Sequence, residues 1–116
     1  GETKYPDGKI MVETENHLNG YSLIEITYNG ITKTIYRDNS KEETKIVNNN
    51  TGITEMTTYN HSDNTMEQKI DNTKTGMSEK MLVDNNTGLT EITKINKEEI
   101  TYVAIETSTG RVLSTM

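Results

Sequence analysis

Short runs of Thr, Ile, Val, Tyr, Met and Leu are interrupted about every eleven residues by a turn signal, and the interruptions organise the whole chain. Asp7-Gly8, Asn19-Gly20, Asn29-Gly30, Asp38-Asn39-Ser40, Asn50-Thr51-Gly52, Ser62-Asp63-Asn64, Lys74-Thr75-Gly76, Asn86-Thr87-Gly88, Lys97-Glu98-Glu99 and Thr109-Gly110 supply the interruptions. β-Branched and aromatic runs bounded by Asx and Gly are the pattern of a β-meander. The runs predict strands at 2–5, 9–15, 21–28, 31–37, 42–47, 53–59, 65–71, 77–83, 89–95, 100–106 and 111–115. No segment of a dozen residues keeps a helical apolar stripe, so no α-helix is expected.

A phrase recurs after three of the turns: Thr51-Gly52-Ile53-Thr54-Glu55, Thr75-Gly76-Met77-Ser78-Glu79 and Thr87-Gly88-Leu89-Thr90-Glu91, with Asn29-Gly30-Ile31-Thr32-Lys33 a near match. The glycine spacing is close to two strands plus two turns, which makes an imperfect hairpin repeat the organising unit of a single domain, 1–116. Side chains alternate across a strand, so Glu55, Glu79 and Glu91 share a face with Ile53, Met77 and Leu89. Either these glutamates sit at a sheet margin or the middle of the sheet is wet.

The distribution of apolar residues favours a wet middle. Ile10, Val12, Leu23, Ile24, Ile26, Ile31 and Ile35 enrich one end, and Ile100, Tyr102, Val103, Ile105, Val112 and Leu113 the other, whereas Thr65-Met66-Glu67-Gln68-Lys69-Ile70 is lean. Two better-packed ends around a polar centre are therefore expected. Eleven strands in one flat sheet tend to curl or split, so the expected fold is all-β: a curled open antiparallel meander or half-barrel, with a two-sheet sandwich or small barrel second.

Composition limits how such a fold is filled. The 116 residues contain 30% apolar side chains and no Phe, Trp or Cys, and the net charge is −6. Abundant Thr and Ile with a single proline argue for a folded chain over a disordered one. Interleaved Lys and Glu argue against a nucleic-acid partner, which needs clustered cations. No run of about 18 apolar residues is present to span a membrane as a helix. The lack of cysteine excludes disulfides and thiolate metal sites. An Asn, Thr, Lys and Ile excess and a start on Gly1 lead to the expectation of a processed bacterial protein, secreted or held in the cell envelope.

The Asp84-Asn85-Asn86-Thr87-Gly88-Leu89 hairpin resembles hairpins of envelope lipoproteins of the lipoprotein-carrier type, and the polar centre resembles single-layer surface lipoproteins of spirochaetes. Neither resemblance spans the chain, and no family is assigned.

Candidate chemistry is sparse. Asp71-Asn72-Thr73-Lys74-Thr75-Gly76 matches the first half of a calcium loop, but the twelfth position, where a bidentate Glu belongs, is Leu82. Asx and Thr favour turns for hydrogen-bonding reasons of their own, so no metal or other cofactor is expected. His17 and His61 fall in predicted turns without the additional ligands zinc requires. No serine occupies a nucleophile elbow, and the glutamates read as a solvated sheet face rather than a glycosidase pair. The sequons at Asn49, Asn60 and Asn85, and the alternating Thr32, Thr34, Thr54 and Thr58, follow from composition and β-propensity. No catalytic residue is assigned.

The one feature above that background is a group of methionines in the central strands, Met56, Met66, Met77 and Met81, able to line an adaptable apolar concavity. The expected function is a non-enzymatic structural, adhesive or spacer module. The alternatives are a carrier holding a lipid or hydrophobic peptide against Met56, Met66, Met77 and Met81, and a subunit that associates with itself through sheet edges.

Overall fold

The computed structural model describes residues 1–16 and 20–115. Eleven strands follow one another: β1 (Glu2–Lys4), β2 (Ile10–Asn16), β3 (Tyr21–Tyr28), β4 (Ile31–Arg37), β5 (Lys41–Asn48), β6 (Ile53–Asn60), β7 (Thr65–Asn72), β8 (Met77–Asp84), β9 (Leu89–Asn96), β10 (Glu99–Glu106) and β11 (Val112–Thr115). They form one antiparallel sheet whose spatial order is the sequence order. No helix occurs among the described residues. Each expected strand is present to within a residue or two, because alternating β-branched residues and Asx-Gly turns leave few competing structures.

The expected curl is absent: the sheet is open and uncurled, and neither a half-barrel, a sandwich nor a closed barrel forms. The molecule measures 50 × 37 × 21 Å. The long dimension agrees with the about 48 Å spanned by ten inter-strand spacings of ~4.8 Å, so it is the width of the sheet. The radius of gyration is 17.2 Å, whereas a compact chain of this length has about 13 Å. The surface of 7863 Å² likewise exceeds the roughly 6,400 Å² of a compact monomer of this mass. Curling serves to bury a continuous apolar face, and neither face here offers one. On one face Met81 lies between Gln68 and Ile92, and Ile70 between Glu55 and Glu79; on the other Met56 lies between Lys45 and Lys69.

With a single layer there is almost no interior. Ala104, 5% exposed, and Thr90, 4%, are the buried residues among those described, and neither is completely enclosed. Shielding comes instead from neighbours on adjacent strands, so the expected contrast between packed ends and a lean middle holds only in part: the buried Ala104 and Thr90 lie toward the C-terminal end, on β10 and β9, but the outermost strand and the middle depart from it. Strand β7 is half-buried at every position but Asp71, while the apolar β11 is exposed throughout.

Candidate functional site

The hairpin turns are the most regular part of the molecule. In the loop after β5, the Asn48 side-chain oxygen accepts from the amides of Asn50 and Thr51 at 2.9 and 3.2 Å, and the Asn48 carbonyl accepts from the Gly52 amide at 2.9 Å. Asn72 makes the same bonds to Lys74, Thr75 and Gly76, and Asp84 to Asn86, Thr87 and Gly88. Thr51 and Thr75 each accept from the amide two residues on, at 3.3 Å. The glycine then takes the left-handed conformation that closes the loop: φ is 76° at Gly52 and 72° at Gly88. The unit is thus Asx-x-x-Thr-Gly, with Glu106-Thr107-Ser108-Thr109-Gly110 a variant in which the Thr109 hydroxyl donates to Glu106.

These turns also bind one another. The residue before Thr-Gly reaches back to the preceding turn on the same rim: Asn50 Nδ2 donates to the Asn29 carbonyl at 2.8 Å, Lys74 Nζ to the Asn50 carbonyl at 2.8 Å, and Asn86 Nδ2 to the Asp63 carbonyl at 2.6 Å. Backbone bonds run beside them, from Asn49 to Gly30, Thr73 to Gly52, Asn85 to Asn64 and Thr107 to Gly88. The ladder of the sheet therefore continues through both rims. The recurring Thr-Gly phrase was visible in the sequence, but the Asx that opens the loop and the docking residue at its third position were not recognised. The signal was there, since Asn48, Asn72 and Asp84 each lie four residues before a glycine.

The calcium-like segment 71–76 is one of these loops. The Asn72 side-chain oxygen is engaged by the Lys74 and Thr75 amides, and the Asp71 Oδ1 accepts from the Ser78 hydroxyl at 2.8 Å. His61 packs edge-on against Tyr59, with ring centroids 4.9 Å apart, and its amide donates to Ser40. His17 lies outside the described residues.

The methionines do not converge on one surface. Pairing of Met66 with Val83, and of Met81 with Ile92, places these two on the same face as Met77, whereas Met56 pairs with Lys45 and Lys69 on the opposite face. Met77 alone of the four lines an open groove of about 390 Å³ near the rim where β7 turns into β8. Ile53, Ile70 and Met77 contribute apolar surface there, and Glu79, Lys94 and Glu99 contribute charge.

A smaller depression of about 270 Å³ lies beside Tyr21, Tyr36 and Asp38. The two rings meet edge-on at 5.4 Å. The Tyr36 hydroxyl donates to Asp38 Oδ2 at 2.7 Å, and Asp38 Oδ1 accepts from the amides of Ser40 and Lys41 and from the Ser40 hydroxyl. The bond from Tyr36, followed by those from Lys41 and Ser40, holds the Asp38 carboxyl well below the usual carboxylate range. The same bond raises the Tyr36 phenol. Tyr102 is raised too, by desolvation first and then by Glu91. Both carboxylate oxygens of Asp38 are engaged within this turn, and its amide donates to the Lys41 carbonyl, so this cluster fastens β4 to β5. Comparison with protein-family models, curated proteins and solved structures finds no match to the chain, so its functional reading rests on this geometry.

Proposed function

We propose that the chain is a non-enzymatic structural, adhesive or spacer module of the bacterial cell envelope or secreted fraction. The observation that carries this reading is the path of the chain, which starts at one edge of an open sheet and finishes at the other, 50 Å being the longest dimension of the molecule. A meander of this kind separates whatever adjoins β1 from whatever adjoins β11 by the full width of the sheet. Two solvated faces and stapled rims suit display or separation, and the Asp38 carboxylate and the hydroxyls of Tyr36, Ser40, Thr51 and Thr75 are spent on turns. The experiment is resonance energy transfer between dyes at Thr3→Cys and Ser114→Cys. The expected result is a separation near the sheet width that stays constant in sub-denaturing urea and is lost in one transition. A separation far below that width, or one that drifts continuously with urea, overturns the spacer reading.

The groove around Met77 favours a second reading, a carrier for a hydrophobic ligand, since pockets that hold small molecules start at about 300 Å³. On this reading the native protein binds a fluorescent fatty acid saturably, and Met77→Gln weakens binding with the β signal intact. Absence of saturable binding removes it.

A further inference from the structure

The groove that Met77 lines is divided along its length. It crosses five strands, from Ile53 on β6 to Glu99 on β10, and so extends about 19 Å over four inter-strand spacings. Toward β6 its floor is apolar, formed by Ile53 and Ile70, both half-buried, and by Met77, 50% exposed. Toward β10 its walls are charged, formed by Glu79, Lys94 and Glu99.

Register gives these charges an order. Glu79 stands opposite Lys94, Lys94 stands opposite Thr101, and Glu99 lies two residues before Thr101 on the same face. The signs therefore alternate across β8, β9 and β10, negative, positive, negative. Among the described residues no ion pair or side-chain hydrogen bond engages Glu79, Lys94 or Glu99. Elsewhere on the sheet charges do find partners, as Arg37 and Glu42 do at 3.1 Å and Lys69 and Glu67 at 3.4 Å. An amphiphile whose tail covers the apolar floor has its head at this unpaired triplet.

We propose that the groove takes a single-chain phospholipid whose head carries a primary ammonium beside its phosphate. This rests on the carrier reading and specifies its ligand. The tail lies on Ile53, Ile70 and Met77, and a volume of about 390 Å³, near the lower bound of small-molecule pockets, suits one chain rather than two. Lys94 donates to the phosphate, and the ammonium donates to Glu79 or Glu99, both as charge-assisted hydrogen bonds. A fatty acid brings its carboxylate against two others, and an alkylamine brings its ammonium against Lys94. A head with both signs answers the triplet without a like-charge contact. A quaternary ammonium fits less well, because it has no N–H to donate and is held by aromatic faces, whereas none of the residues lining the groove is aromatic.

Calorimetric titration with chain-matched probes, each kept monomeric, tests this. Lysophosphatidylethanolamine should bind saturably, about tenfold more tightly than the fatty acid and about threefold more tightly than lysophosphatidylcholine or the alkylamine, as solvated charge contacts allow. The double variant Glu79→Gln, Glu99→Gln should lose the advantage over the fatty acid with the β signal intact. Lys94→Gln should lose the advantage over the alkylamine, and Lys94→Arg should keep it. Glu2→Gln, Glu25→Gln makes the same change of charge on β1 and β3, outside the groove, and should leave the order of affinities as it is. Binding that ignores the head group overturns the proposal and leaves the carrier reading standing, whereas no saturable binding by any probe removes both. Loss of the preference in the β1 and β3 variant would assign it to the net charge of the chain and would also overturn the proposal.

Discussion

Strands β7 and β11 differ in a direction opposite to their hydropathy. β7 reads Thr-Met-Glu-Gln-Lys-Ile-Asp-Asn and is half-buried at all but one position, while β11 reads Val-Leu-Ser-Thr and is exposed at all four. In a globular domain a second layer covers the apolar strand. Among the described residues there is no second layer, so a side chain is shielded only by the strands beside it, two in the interior and one at an edge. Position in the sheet outweighs composition. An interior strand is held by its neighbours through cross-strand pairs worth about 0.2–1 kcal/mol each, by the backbone ladder, and by turns that bind the next turn along.

The comparison breaks most plainly under proline. Gln68→Pro sits mid-β7 between Thr57 and Met81 and removes a donor from a strand paired on both sides. A loss on the order of 3 kcal/mol or more is expected, by analogy with proline inside a helix. Ser114→Pro in β11 gives up at most one ladder bond, about 1 kcal/mol. Urea midpoints of the two variants measure the difference, and equal losses would show that the interior is no better held than the edge.

Glycine substitutions compare an interior turn with the turn into β11. Gly52 and Gly110 have φ of 76° and 73°, so alanine at either incurs about 1–2 kcal/mol of left-handed strain. At Gly52 the new Cβ also comes within 2.8 Å of Lys74 Cγ and 3.0 Å of Thr73 Oγ1, whereas at Gly110 it meets open space. Displacing Lys74 breaks its bond to Asn50, so Gly52→Ala should cost about 1 kcal/mol more than Gly110→Ala. Thermal melts that lose the same stability would remove the turn-to-turn ladder from the account.

Side-chain truncation gives a smaller contrast. Met66→Ala in β7 should cost about 1–2 kcal/mol, below the 2–5 kcal/mol of an enclosed core because part of the side chain already meets water. Met77, 50% exposed, should change stability by no more than about 0.5 kcal/mol. Chemical denaturation of the two alanine variants checks the order.

The smallest effect concerns acid. The Asp38 pKa is lowered in the folded chain, so its contribution is fully present above the ordinary carboxylate range and is lost as pH falls through that range toward the lowered value. Asp38→Asn should therefore destabilise at neutral pH and flatten the acid limb of the stability profile. Glu2→Gln at the β1 edge, where the ion pair with Lys4 is solvated, should leave the melting temperature at neutral pH nearly unchanged. Melting temperatures followed from neutral to strongly acidic pH separate the two.

Much of the fold was legible in the sequence. Asn29-Gly30, Asn50-Thr51-Gly52 and Asn86-Thr87-Gly88 mark turns through local backbone chemistry that needs no tertiary context. Curl and burial were not legible, since both depend on whether a second layer exists, and Ile24 or Val112 has the same hydropathy either way. The sequence could not divide the methionines between faces, because face membership depends on register: Met56 and Met66 pair with Lys69 and Tyr59, on opposite faces. The docking residues Asn50, Lys74 and Asn86 were hidden by their ordinary role as turn formers.

The most direct test of the central claim, a single open layer without a core, is small-angle X-ray scattering on dilute protein. The account predicts a radius of gyration near 17.2 Å and a longest dimension near 50 Å. A radius near the about 13 Å of a compact chain, with a correspondingly round distance distribution, would mean that the sheet closes on itself and would contradict the account.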